Sequence, residues 1–328
     1  MARPLRIEYP GAFYHVTSRG NEKKNIFKSL QDRRKFLSYL ESSVVRYGAI
    51  IHVWCLMSNH YHLLMETPAG NLSQIMRHIN GAYTTYFNVK RKRAGHLFQG
   101  RYKAILIDAD SYATELSRYI HLNPVRAGMV ERPEEYPWSS YRSYIGKNRV
   151  PEWQKTEFIL GYFSSGPSFS SGSSFGLNTS GDAKVNYMNF VEALLGKKYP
   201  SPLKAATAST ILGNEKFVQK ISRQYLDERR VERDVPAVRK LTPGISVDEI
   251  IDIVKNELGD NEDLTRKVSI FFCRKHSGAR LREIGERFGI SEAAVSQASR
   301  RLELQARRDQ RLEKLLNGLK NTLRHVKC

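Results

Sequence analysis

AIIHVWCLMSNHYHLLMET, residues 49–67, is the stretch whose reading decides the fold. Two runs rich in aliphatic and aromatic residues, 49–57 and 60–67, flank the short polar turn Ser58-Asn59. That is the pattern of a β-hairpin. Side chains alternate faces along a strand, so His60 and His62 project together and Tyr61 projects away from them. Two imidazoles side by side can share one divalent ion, although HxH also occurs in ordinary cores and surfaces.

Working outward, residues 12–19, AFYHVTSR, read as a strand. Residues 29–48 place Phe36, Leu37, Leu40, Val44 and Tyr47 at helical spacing and stop at Gly48. Residues 71–91 read as a second helix and YKAILID, 102–108, as a further strand. A third helix is expected over 110–123, with Asp110 or Ser111 as N-cap and Pro124 forcing its end. The order strand, helix, strand, strand, helix, strand, helix predicts an α+β fold: an antiparallel, ferredoxin-like sheet with helices on one face. That domain is expected over 1–150. A Ser/Gly-rich linker follows over 151–183, its centre being SSGPSFSSGSSFGLNTSGD at 164–182. A helical connecting segment is expected over 184–245.

An all-α domain is expected over 246–328. Ser246 and Glu249 form a capping-box pattern at its first helix. Residues 281–302, LREIGERFGISEAAVSQASRRL, read as helix, turn at Gly289, then helix with Ser291 as N-cap. This is helix-turn-helix spacing, with an ordinary αα-hairpin as the alternative. The second helix would expose Glu292, Ser296, Gln297, Ser299, Arg300 and Arg301, types that reach phosphates or base edges.

Charge narrows the partners. The 328 residues carry 53 Lys+Arg against 33 Asp+Glu, a net +20. Residues 1–150 hold 23 against 11 and the remainder 30 against 22, so +12 and +8, and no single tail is responsible. Such a balance points to a polyanion, nucleic acid first. Cys55, Cys273 and Cys328 have no paired spacing, which argues against a disulfide framework or a cysteine zinc site and suits a reducing cytosol. The N-terminus lacks a signal-peptide core and no 18-residue apolar run exists, so a cytoplasmic, nucleoid-associated protein with no membrane partner is expected. Two basic segments stand out. One is 90–103, with Lys90, Arg91, Lys92, Arg93, Arg101 and Lys103 among His96, Phe98 and Tyr102. The other is 19–27, with Arg19, Lys23, Lys24 and Phe27 after a Gly20-Asn21 turn. Cations grip phosphates and rings stack on unpaired bases.

Tyr119 and Asn123 are four apart and share a helical face, with Tyr112 and Glu115 near the same line. The apolar stripe Ala113, Leu116, Ile120 would seat that helix on the sheet. Asn123 could then be a third metal ligand and Tyr119 a neighbour of whatever the metal holds. The bland alternative makes Tyr119 a residue at the core edge and Asn123 a helix cap.

HYH at 60–62, GHLFQGRYK at 95–103, RYIHLNPVRAGMV at 118–130 and YPWSSY at 136–141 together resemble the single-tyrosine HUH transposases, and within them the REP-associated tyrosine transposases. The similarity spans roughly residues 5–145. It implies metal ligation by His60, His62 and Asn123, with Tyr119 as nucleophile. It also implies Mg²⁺ or Mn²⁺ as cofactor, zinc remaining chemically open. The implied activity is that of a DNA strand transferase and nickase. It would cleave and rejoin single-stranded DNA at palindromic repeat hairpins through a 5′-phosphotyrosine, as in DNA transposition and recombination. The helices over about 246–304 resemble the DNA-binding domain of the initiator DnaA, which implies contact with duplex DNA. A monomer or homodimer is expected. Tyr112 is the rival nucleophile, and no residue is singled out as general base beyond Glu115 as a candidate proton acceptor. Two other functions fit the same residues: a non-catalytic, sequence-specific DNA-binding regulator, and a zinc hydrolase using Glu66 on the His60/His62 face.

Overall fold

A computed structural model describes residues 6–164, 182–225, 241, 245–259 and 261–325. The chain divides into two compact units, Arg3–Tyr225 and Leu226–Cys328.

The first unit is built on strands β1 (Ala12–Arg19), β2 (Ile50–Leu56), β3 (His60–Thr67), β4 (Lys103–Ile107) and the two-residue β5 (Ile211–Leu212). Their order across the sheet is β2-β3-β1-β4-β5. The first four are antiparallel, in the ferredoxin-like order expected from the alternation of elements, and β5 runs parallel to β4. The hairpin at 49–67 is present, with Leu56 opposite Tyr61 and a bulge at His52 between Ile51 and Val53.

Tyr61, Leu63 and Met65 face helices α1 (Leu30–Tyr47) and α2 (Leu72–Lys90). Tyr61 packs on Phe36 at 4.7 Å and its hydroxyl donates to Asn80 Oδ1 at 2.7 Å. The α1 start has the full capping box, Ser29 with Asp32, and Gly48 ends it in the left-handed region at φ 65°. The expectation of helices on one face describes α1 and α2. The opposite face, carrying His60, His62 and Leu64, takes α3 (Ala109–His121), whose Ala113, Leu116 and Ile120 are fully buried against Val53, Leu64 and Ile107. The helix is capped by Asp108 rather than Asp110 or Ser111, and Ser111 Oγ donates to the Asp108 carboxylate at 2.9 Å.

This unit is longer than the expected 1–150. Short helices α4 (Asn123–Arg126), α5 (Tyr141–Tyr144) and α6 (Glu157–Gly161) are followed by α7 (Ala183–Glu192) and α8 (Glu215–Tyr225). Residues 151–164, expected to begin the linker, pack instead. Lys155 N–H donates to Ile51 C=O, Trp54 Nε1 donates to Gln154 Oε1 at 3.0 Å, and Ile159 is buried. The core of the Ser/Gly-rich stretch, 165–181, lies outside the described residues. The segment expected only to connect, 184–245, contributes α7, β5 and α8 to this same unit up to Tyr225. Tyr187 of α7 is fully buried and its hydroxyl bonds His121 Nδ1 at 2.7 Å, while His121 Nε2 meets Ser140 Oγ at 2.8 Å. Burial holds His121 well below the ordinary imidazole value, at about 3. Both sheet edges are covered: residues 138–140 and 154–155 bond the outer edge of β2, and β5 bonds β4.

The second unit contains α9 (Val247–Leu258), α10 (Glu262–His276), α11 (Leu281–Phe288), α12 (Glu292–Ala306) and α13 (Gln310–His325). Its core includes Ile250, Val254, Val268, Phe272, Ile284, Val295, Leu302 and Leu319. Gly289 ends α11 at φ 66°, and Ser291 caps α12 by accepting from Ala294 N–H at 3.2 Å. Gly285 permits the tight turn, since a Cβ there would lie 2.5 Å from Ile290 C=O. No helix among the described residues is long and apolar enough to cross a membrane.

Candidate active site

The site grows from the turn between β2 and β3. Asn59 holds three things at once. Its C=O accepts from Gly20 N–H at 2.8 Å, its Nδ2 donates to Lys23 C=O at 2.9 Å, and its Oδ1 meets His60 Nδ1 at 2.6 Å. A side-chain carbonyl oxygen can only accept, so His60 carries its proton on Nδ1 and its Nε2 keeps a free lone pair. Ile26 and Phe27 N–H groups both donate to Ser58 C=O, which lays the 20–27 loop against the hairpin turn. Gly20 is required there, because a Cβ would meet Lys24 C=O at 2.1 Å.

His62 lies on the same strand face, its ring 5.0 Å from that of His60 and at 80° to it. His62 Nδ1 is 2.9 Å from Nε2 of His15, a residue of β1 on the same face, and the two ring planes lie within 17° of each other with centroids 5.1 Å apart. His15 Nδ1 is buried without a hydrogen-bond partner. Burial, with Arg19 nearby, holds His60 down at about 4. Burial first, then His15, His60 and Arg19, puts His62 well below the ordinary imidazole value. Burial alone lowers His15 to about 4. All three imidazoles are therefore neutral near pH 7, the form that ligates metals.

Tyr119 stands edge-on to His62, ring centroids 6.1 Å apart at 90°. The helix end differs from the expected 110–123. Helix α3 stops at His121 and Asn123 opens α4, because Pro124 supplies no N–H to the helix ladder. Asn123 Nδ2 is buried with no hydrogen-bond partner. Two neutral imidazoles with Nδ1 occupied elsewhere suit a hard or borderline divalent ion, and Oδ1 is the one Asn123 side-chain atom that could join them as a ligand. Among the described residues no group of three His, Cys, Asp or Glu is arranged to hold a metal ion.

Other sequence-derived candidates are sorted by their surroundings. Glu115 is engaged by Arg118 one turn away, so its carboxylate is already paired. Tyr112 lies two helical turns before Tyr119, about 10 Å along the axis. Glu66 lies four residues along β3 from His62, about 13 Å, and faces His52 Nε2 at 3.5 Å. The zinc-hydrolase reading thus loses its base.

The basic segments divide in the same way. Arg19, opposite His60, and Lys103, opposite Thr17 and hence two strands from His62, are exposed on the histidine face. Lys23, Lys92, Arg93 and Arg101 are exposed, and Lys24 pairs with Glu22 at 2.6 Å. Lys90 and Arg91 both bind the fully buried Asp32 carboxylate, so they hold α2 to the start of α1. Phe98 and Tyr102, expected as stacking platforms, are 7% exposed. Phe98 packs on Tyr61 and Tyr83, and Tyr102 lies under Arg6. Phe27 is likewise in the core, which leaves His96 as the exposed ring of the set. In the second unit Arg300 and Arg301 are exposed on α12, whereas Ser299 is fully buried, one position off the expected outer face.

Two residues beside Tyr119 escaped the sequence reading. The Arg126 guanidinium lies over the Tyr119 ring at 4.9 Å and over the Tyr199 ring at 4.8 Å. Burial raises the Tyr199 phenol above its ordinary value, and the Arg126 charge partly opposes that. Arg126 stands in the quoted RYIHLNPVRAGMV stretch, but its seat depends on Tyr199, 73 residues later in the chain.

Residues 9–123 match the model of the family described as "Transposase IS200 like". A Haemophilus influenzae protein named "Putative REP-associated tyrosine transposase" is 27% identical over 143 residues, which cover 38% of this chain and 81% of that one. A solved structure of a REP-associated tyrosine transposase bound to a REP hairpin aligns over 48% of this chain and 93% of its own, with 17% identity and a TM-score of 0.40. With strand order, the histidine pair and the facing tyrosine in place, residues 9–123 are similar to the IS200-like transposases.

Proposed function

We propose that the chain cuts and rejoins single-stranded DNA at palindromic hairpins, with Tyr119 as nucleophile and His60, His62 and Asn123 as ligands for Mg²⁺ or Mn²⁺. The observation that carries this reading is the Tyr119 ring standing 6.1 Å from His62 on the histidine face of the sheet. Tyr119 Oη would form a bond to a backbone phosphorus as the bond from phosphorus to the 3′ oxygen breaks. The phenol gives up its proton, and the 3′ oxygen leaves and ends as a free hydroxyl. The 5′ side stays on the enzyme as a phosphotyrosine. Attack by another 3′-hydroxyl reverses the step, so no energy cofactor is required. When bound, the divalent ion supplies charge neutralisation at the phosphate and the leaving oxygen.

The rest falls to side chains. Arg126, fixed between two rings and exposed, is placed to take a phosphate oxygen next to Tyr119. Arg19, Lys103, Lys23, Lys24, Lys92, Arg93 and Arg101 supply a cationic rim for the strand, and Arg300 and Arg301 a separate face for duplex DNA. Exposure of that second face also supports the alternative, a DNA-binding regulator that does not cut.

The test is a labelled hairpin oligonucleotide with single-stranded flanks, incubated with Mg²⁺ or Mn²⁺ and run on denaturing gels. A covalent protein–DNA adduct is expected. Tyr119→Phe abolishes it and His60→Ala reduces cleavage and metal dependence together. Cleavage without adduct refutes the phosphotyrosine step, and binding without either supports the regulator.

A further inference from the structure

We propose that His15, a β1 residue outside the expected ligand set, is a positioning residue for the metal centre: its Nε2 accepts the His62 Nδ1–H and so frees the His62 Nε2 lone pair for a divalent cation. This rests on the reading of His60 and His62 as ligands. The two ligand histidines are held differently. His60 meets the Asn59 side-chain carbonyl, which admits one tautomer. His62 meets another imidazole at 2.9 Å, and that partner can donate or accept.

Two proton arrangements therefore share one set of heavy atoms. In the first, His15 Nε2–H donates to His62 Nδ1, and the His62 proton sits on Nε2, where it blocks a cation. In the second, His62 Nδ1–H donates to His15 Nε2, and the His15 proton moves to its Nδ1. That nitrogen is buried with no partner, and His15 is 1% exposed. A buried N–H without an acceptor is disfavoured relative to a bare lone pair. A cation on His62 Nε2 excludes the first arrangement, so in the loaded protein His15 Nε2 is the acceptor. Removing the acceptor leaves His62 with nothing to hold its Nδ1–H. Outer hydrogen-bond partners of ligand histidines typically change metal affinity by about 10- to 100-fold.

The experiment measures Mn²⁺ affinity by electron paramagnetic resonance on the full chain without DNA, for wild type, His15→Phe, His15→Gln and His60→Ala. His15→Phe keeps an aromatic ring in the buried seat and is expected to bind Mn²⁺ about 10- to 100-fold more weakly. His15→Gln, whose side-chain carbonyl can accept, restores part of that loss. In ¹⁵N-histidine spectra of the wild-type protein loaded with diamagnetic Zn²⁺, His15 is expected to carry its proton on Nδ1, with Nε2 bare and accepting from His62. Wild-type-like Mn²⁺ affinity in His15→Phe overturns the proposal and leaves the metal site standing. A His15 protonated on Nε2 in the loaded protein does the same, and decides the matter if His15→Phe does not fold. Absence of Mn²⁺ binding by wild type overturns the metal reading and this inference together.

Discussion

Replacing Asp32 by Asn should weaken the first unit by about 3 kcal/mol at pH 7. Asp32 is fully buried, and Lys90, Arg91, the Lys28 and Ser29 N–H groups and the Tyr86 hydroxyl all donate to it. Burial raises its pKa, but the hydrogen bonds from Lys90, Lys28, Arg91 and Ser29 outweigh that and bring it down from 3.8 to about 2. At about 1.4 kcal/mol per unit the difference is worth about 2 kcal/mol. Asn also turns an NH₂ toward donors, leaving at least one unpaired, which costs about 1 kcal/mol more. The folded pKa lies below the unfolded one, so the charge contribution is complete above about pH 5 and fades as pH falls toward 2. Roughly half of it should be gone by pH 3. Trp54, Trp138 and Trp153 all lie in the first unit, so tryptophan fluorescence in urea reports that unit alone. A gap between wild type and Asp32→Asn that stays constant from pH 7 to pH 3, or stays under about 1 kcal/mol at pH 7, would refute this account.

Arg126→Ala should slow adduct formation about 100-fold, with hairpin affinity changed far less, because one preorganised cation at a reacting phosphate acts mainly on the transition state; single-turnover kinetics and filter binding separate the two effects. Arg300→Ala with Arg301→Ala should leave hairpin cleavage unchanged. The pair should also reduce the salt dependence of duplex binding by about two counterions, read from the slope of log affinity against log salt.

Strand order and the direction of the histidine pair were legible because both follow from local rules: alternation in a strand, and the short polar turn at Ser58-Asn59. The seat of α3 was legible from Ala113, Leu116 and Ile120. What escaped depended on pairings between distant residues. His15 looks like any inward residue of AFYHVTSR until β1 is placed beside β3 in register. Lys90 and Arg91 look like free cations until Asp32, nearly 60 residues earlier, is brought to them. Phe98 and Tyr102 sit in a basic run whose composition suggested solvent, yet the loop turns them inward. A two-residue strand such as β5 has no period to detect, and Tyr187 follows a Ser/Gly-rich stretch that suggested separation rather than return.

The late return of the chain to its own first domain sets where that domain can be cut. A fragment trimmed near residue 150 would lose Ile211 and Leu212, exposing on β4 the amides and carbonyls they now occupy, a ready template for self-association. It would also open a void beside His121 where the Tyr187 ring belongs, and take away the second wall that steadies Arg126 over the tyrosine. The shortest fragment expected to stay soluble and keep Tyr119, Arg126 and the histidine pair in place therefore runs to Tyr225.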